Sequence, residues 1–100
     1  MYEMNDTKIT HSEDQRKFET VVDGKKGVVE YLQVGNRIIF THTEVDPALE
    51  GQGIASRLAK HVLEYAREME YEVMPLCPYI AGYINRHPEY RSLVMEGINV

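Results

Sequence analysis

The chain has 100 residues, 43% hydrophobic and 27% charged, which suits one soluble domain with a modest core and a site on the rim of that core. Its formal net charge of -5 argues against a nucleic-acid partner, because phosphate neutralisation needs a basic face and no cationic run is longer than Lys25-Lys26. The lone cysteine, Cys77, leaves no internal disulfide, no apolar run approaches the roughly 18–20 residues of a bilayer span, and the start Met-Tyr-Glu-Met-Asn-Asp is no signal peptide, so a cytoplasmic protein without membrane contact is expected.

Residues 1–15 are polar and aperiodic apart from Ile9, and read as a tail or an irregular edge segment. From Lys17 to Val22 the apolar positions alternate, with Phe18, Thr20 and Val22 on one face, as in a half-buried strand. Asp23 to Gly27 is turn chemistry, and Val28 to Val34 is a second strand rich in β-branched and aromatic residues. Gly35-Asn36 is a two-residue hairpin signal that leads into a third strand, Arg37 to Val45. In that strand Ile38, Ile39 and Phe40 are apolar on both faces, which predicts a central strand covered on both sides.

The period changes after Asp46-Pro47. Ile54, Leu58, Val62, Ala66 and Met69 recur at spacings of four and three, the stripe of a helix from about Gly53 to Met69. Lys60 and Glu64 fall on its other side as an expected i,i+4 ion pair. Glu72 to Leu76 reads as a fourth strand, and Pro78 opens a shorter helix that ends at His87-Pro88. Leu93, Val94 and Ile98 suggest a final turn packed on the sheet. The order β-β-β-α-β-α implies an α+β fold, one domain over residues 1–100 with a mostly antiparallel sheet.

Glu50-Gly51-Gln52-Gly53-Ile54-Ala55 stands between a predicted strand and a predicted helix. Glycines let backbone approach a ligand, and the free N–H groups and dipole of a helix start attract an anion. An isolated Gly-x-Gly is as often a plain loop with a glycine cap. Two nucleotide motifs are excluded: Ser56 stands where the dinucleotide fingerprint needs glycine, and no Gly-Lys-Ser/Thr follows for a P-loop.

The turn resembles the pyrophosphate motif Gln/Arg-x-x-Gly-x-Gly/Ala of the GNAT N-acetyltransferase superfamily, with Gly53 and Ala55 matching and Glu50 where Gln or Arg is usual. The chain is similar above all to a compact GNAT-like subfamily of bacteria and eukaryotes. That similarity runs through Arg16 to Glu19, Glu30-Tyr31, Thr41 to Val45, Gly51 to Ala55, Pro75 to Tyr79 and Arg86 to Tyr90, so it covers about residues 9 to 95. It implies a splayed strand pair with acetyl-CoA in the gap. The backbone of Glu44, Val45 and Asp46 would pair with the pantetheine arm, and the N–H groups from Gln52 through Gly53, Ile54 and Ala55 to Ser56 would hold the pyrophosphate beside Gly51. The Glu50 carboxylate is expected to point away from the phosphates.

Transfer of an acetyl group to an amine needs a base for the amine, a hold on the thioester oxygen and an acid for the departing thiolate. Larger GNATs often supply that acid as a tyrosine, but the matching position here is Asn85, with Tyr83 two residues earlier. Cys77 is the first substitute, at the head of a helix where a negative sulfur is favoured. Read alone it is more often an inert core cysteine; the family, in which this cysteine recurs near the thioester, favours a role. His42 is the second candidate, placed by alternation on the face of Phe40 and Glu44, although a strand histidine is more often a packing residue. Tyr79 and Tyr83 are candidates to line the pantetheine slot against a default of core packing. His87 reads as part of a helix-ending turn, and His11 and His61 as solvated. Four scattered histidines and one cysteine make no metal spacing. The expectation is an acetyl-CoA-dependent N-acetyltransferase acting on a small-molecule or protein amine, as a monomer or weak dimer. The competing reading is a CoA-binding sensor or adaptor without turnover.

Overall fold

The structure is a computed structural model that describes residues 8–98. Its frame is one five-stranded sheet in sequence order, β1 (Ile9–Ser12), β2 (Lys17–Val22), β3 (Lys25–Val34), β4 (Arg37–Val45) and β5 (Glu72–Pro75). The first four strands are antiparallel neighbours, and β5 joins β4 in parallel. That parallel step demands a crossover, which helix α1 (Ile54–Met69) provides; α2 (Pro78–Arg86) and a 3₁₀ segment (Pro88–Leu93) follow β5. A single bridge from Val73 to Val94 ties the end of the chain to β5. The sheet is therefore mixed, mostly antiparallel and helix-flanked, the α+β arrangement expected from the sequence.

Of residues 1–15, expected as a tail or irregular edge, Ile9–Ser12 forms β1, paired Ile9 to Thr20 through Ser12 to Lys17. Residues 1–7 lie outside the described residues. The strand was not legible because His11 acts as an apolar side chain. Its ring stacks on Phe18 (4.0 Å between centroids, 11° between planes), Tyr65 meets it edge-on at 4.9 Å, and its Nε2 lies 2.6 Å from the Tyr31 hydroxyl. His61, also expected to be solvated, is exposed but turns its ring edge to Phe18.

Both helices lie on one face of the sheet. The core there joins Phe18, Val29, Tyr31, Ile38 and Phe40 to Ile54, Leu58, Ala59, Val62, Leu63 and Ala66 of α1 and to Ile80, Tyr83 and Ile84 of α2. Each large apolar side chain so buried contributes about 1.5–3 kcal/mol. The α1 stripe drops Met69, which is 49% exposed, and gains Ala59 and Leu63. The expected stripe followed one row of a helix whose 3.6-residue turn carries that row off the core. Gly27 of β3 lies directly beneath the start of α1: a Cβ there would meet Ile54 Cγ2 and Leu58 Cδ1 at 3.1 Å. The absent side chain lets the first turn of α1 sit close to the sheet.

Val21, Glu30, Leu32, Val34 and His42, which point the other way, are all exposed. Strand β4 is thus covered on one face, not two. Ile38 and Phe40 are fully buried, whereas Ile39 is only partly so. The expected Lys60–Glu64 pair is also absent. Glu64 instead accepts a hydrogen bond from the Tyr90 hydroxyl (2.7 Å) and pairs with Arg67 (3.3 Å).

The His11 cluster sets a pH dependence. Burial, reinforced by His61 and opposed by Glu13, lowers the His11 pKa below its ordinary 6.5. In the window from about 6.5 down to that lowered value the unfolded chain takes up a proton that the folded chain refuses. Stability should therefore be full above pH 7 and fall as the pH drops through this window. Urea midpoints measured from pH 7.5 to 5.5 should decrease, and His11→Phe should flatten the decrease; an unchanged slope in that variant would exclude His11 as its source.

Candidate active site

Strand β4 ends at Val45, and Asp46-Pro47 turns the chain sharply. The Asp46 carboxylate accepts from the Ala48 N–H (2.9 Å), its carbonyl accepts from Leu49 (2.9 Å), and its own N–H donates to Lys26 (2.9 Å). A 3₁₀ turn (Pro47–Leu49) results, with Leu49 plugged into the core. Asp-Pro ahead of such a turn is a cap signal that the sequence did contain. Gly51 and Gly53 then adopt positive φ, 85° and 75°, and Gly53 caps α1. A Cβ on either would meet no atom within 4 Å, so the backbone conformation, not lack of room, calls for glycine.

Gly53 has no side chain with which to cap the helix, and a helix's first turn has no internal acceptors for its N–H groups. The N–H groups of Gly53, Ile54, Ala55 and Ser56 therefore converge with the positive end of the helix dipole. The Gln52 N–H, expected with them, donates to the Leu49 carbonyl (3.2 Å). Above this turn lies a cavity of about 440 Å³, walled by Val45 and Asp46 on one side, the glycine turn and Ala55 and Ser56 on another, and Tyr79 of α2 on a third. Glu50, expected to face away, is exposed and borders the same cavity.

Beyond the cavity the sheet opens. The β4–β5 ladder stops at Phe40–Pro75, and the Cys77 N–H closes it on the Phe40 carbonyl (2.9 Å). From His42 to Val45 the strand is paired only with β3. Glu44 and Val45 lie on this one-sided run, whereas the backbone groups of Asp46 are taken by Lys26 and Leu49.

Cys77 caps α2 and is 4% exposed, with its thiol donating to the Thr43 hydroxyl (3.2 Å). Thr43 was not anticipated, and the reason is a bulge. Phe40 lies opposite Tyr31 and His42 opposite Glu30, so Thr41 is an extra residue in β4. Beyond it the alternation inverts: Thr43 joins Phe40 on the helix-covered face, while His42 and Glu44 point to the open one. His42 therefore does not share the face of Phe40, as strict alternation had predicted. Its Nε2 lies 3.2 Å from Glu44 Oε1, and both are exposed. Cys77 and His42 thus flank the opening from opposite faces of the sheet.

The two tyrosines part company. Tyr79 is half-buried on the cavity wall. Tyr83 is buried between the helices and stacked on His87 at 4.0 Å; burial pushes its phenol up from its ordinary pKa, with the nearby Ser56 side chain opposing the rise. Asn85 is exposed and accepts from Arg91 (2.9 Å). Among the described residues no group of three or more His, Cys, Asp or Glu is placed to hold a metal ion.

The chain is similar to known proteins over most of its length. A family model described as GCN5-related N-acetyl-transferase matches residues 17–93. Protein NATD1 of Mus musculus is 34% identical over 84 residues, 81% of this chain and 76% of that protein; the Gallus gallus protein of the same name is 35% identical over 83 residues, 80% and 76%. The solution structure of a GCN5-like protein from Staphylococcus aureus superposes with a TM-score of 0.71 at 26% identity, covering 92% of this chain and 91% of that one. With the glycine turn, the opened parallel pair and these matches spanning most of its length, the chain belongs to the GCN5-related N-acetyltransferase family.

Proposed function

We propose that the chain transfers an acetyl group from acetyl-CoA to an amine. The observation that carries this reading is the one-sided run of β4 from His42 to Val45, which leads from the glycine-turn cavity to the Cys77 thiol. The pyrophosphate would rest on the N–H groups of Gly53 to Ser56 beside Gly51. The pantetheine amides would pair with Glu44 and Val45 as a missing strand would, with Tyr79 over them. That arrangement sets the thioester beside Cys77 on the helix-covered face, and leaves the open face, with His42, to the amine. His42, held by Glu44, would take the proton that the amine sheds on attack.

Two routes fit Cys77. In one, its thiolate attacks the thioester carbonyl, the C–S bond to CoA breaks, and CoA leaves as a thiolate that takes a proton from water. An amine then attacks acetyl-Cys77 and releases the cysteine. In the other the amine attacks the thioester directly, and the Cys77 thiol gives its proton to departing CoA. The near-complete burial of Cys77 and the exposed Asn85 at the family's usual acid position favour a second reading, a CoA-binding module without turnover.

CoA at about ten times its Kd should stabilise the fold by about 1.4 kcal/mol, a Tm rise of several degrees. Gly53→Asn tests the anion site, because asparagine tolerates positive φ and its side chain enters the open space above the turn. The variant should keep its own Tm and lose the CoA-dependent rise; an undiminished rise would move the pyrophosphate elsewhere.

Intact-protein mass spectrometry separates the routes. The covalent route gives one acetyl increment after acetyl-CoA alone, absent in Cys77→Ala and discharged by an amine. Absence of an adduct, with transfer lost and CoA binding kept in Cys77→Ala, assigns proton donation. Full transfer by Cys77→Ala makes the thiol a packing group, and no transfer by the wild type to any of a broad panel of amines favours the binding module.

A further inference from the structure

The open face of the sheet carries a row of apolar side chains that none of the described elements covers. Leu32 of β3 lies opposite Ile39 of β4, and Ile39 opposite Met74 of β5, so the three stand side by side across three strands. Leu32 is 45% exposed, and Ile39 and Met74 are half-buried. Leu76, just past the end of β5, alternates with buried Pro75 and Cys77 and so joins this face, 60% exposed, where β5 leaves β4. The Arg37–Glu72 pair (3.4 Å) closes the far end of the row. The near end meets the opening of the sheet, because Ile39 stands three residues before His42, within about 10 Å along the strand. That end is acidic. Glu44 lies beside His42, and Glu30, directly opposite His42, is exposed without an ion pair among the described residues. Lys17, the neighbour of Glu30 on β2, pairs with Glu19 instead (3.6 Å).

We propose that this strip selects the acceptor, and that the acceptor is a primary amine with an apolar body, an alkyl- or arylalkylamine, in place of a polyamine or an amino acid. The inference rests on the reading that the open face beside His42 admits the amine. The two halves of the surface match the two halves of such a molecule. A chain of net charge -5 attracts an ammonium group, and Glu30 and Glu44 draw it to the end where His42 can take its proton. The apolar body then covers Leu32, Ile39, Met74 and Leu76, which otherwise meet water. A polyamine would lay further charge along the row and lose its hydration without a partner. An amino acid would bring its carboxylate against Glu30 and Glu44.

The test titrates the full chain, saturated with CoA so that no transfer occurs, with phenylbutylamine, propylamine, putrescine and phenylbutanol, followed by NMR of the methyl groups. Phenylbutylamine should bind about tenfold more tightly than propylamine or putrescine and shift the Met74 and Leu76 methyl signals. Leu76→Ser, at an exposed position, should bring that preference close to one; Leu32→Ser repeats the test on β3, and the CoA-dependent rise in Tm checks that each variant is folded. Glu30→Gln should weaken phenylbutylamine about two- to fivefold and leave phenylbutanol unaffected. A preference that survives both serine variants, tighter binding of putrescine, or no amine binding to the CoA-loaded chain overturns the proposal. So does a dimer that Leu76→Ser dissociates, which would give the strip to a second copy. With acetyl-CoA in place of CoA, equal kcat/KM for all the amines overturns this inference alone. The expected binding preference without any transfer upholds the strip as the amine site and overturns the transfer reading.

Discussion

One extra residue in β4 decides what the sheet presents on each side. Without the bulge at Thr41, strict alternation from Phe40 would carry His42 onto the covered face and Thr43 onto the open one. With it, the Thr43 hydroxyl meets the Cys77 thiol under the helices while the imidazole stands in solvent beside Glu44. The bulge sits one residue past the end of the β4–β5 ladder, so the inversion and the opening of the sheet coincide. Bulges characteristically re-aim side chains or end pairing beside a site.

The glycine turn depends on a second constraint, the seating of α1. Its first turn rests on Gly27 of β3, and the approach to it is fixed by Asp46, whose three hydrogen-bonding groups are all used. The open N–H groups thus start a helix seated on the sheet, and the turn before them is tied by the Glu50 N–H to Pro47 and the Gln52 N–H to Leu49. Preorganisation of this kind saves the ordering cost that a flexible anion site incurs on binding.

Much of the architecture was legible in the sequence. The alternating runs, the Gly35-Asn36 hairpin and the apolar stripe of α1 each rest on local period, and each element is present, although β3 begins at Lys25, inside the expected turn from Asp23 to Gly27, because Lys25 to Gly27 pair with β2. The glycine turn was legible because its chemistry is local too. What escaped depends on contacts between distant segments. The period of β1 was hidden by His11, which is apolar only in the company of Phe18, Tyr31 and Tyr65. The reach of Glu64 to Tyr90 spans 26 positions, so a local ion-pair rule chose Lys60 instead. The bulge leaves no mark in the order Phe40-Thr41-His42-Thr43, and with it went the facing of His42 and the partner of Cys77.

Because both helices lie on one side, the sheet's other face meets water with Val21 at 56%, Leu32 at 45% and Val34 at 65% exposure. Apolar strand surface of that kind favours sheet-on-sheet association unless charge interrupts it. Here Glu19 is bracketed by Lys17 at 3.6 Å and Lys26 at 3.3 Å, and Arg37 lies against Glu72 at 3.4 Å. Lys17, Glu19, Arg37 and Glu72 are only partly exposed, and surface pairs contribute about 0–1 kcal/mol each, so the larger effect of the pairs is on the surface they present. They place both signs of charge on the same face as the apolar patches, the pattern by which charge interrupts apolar strand surface.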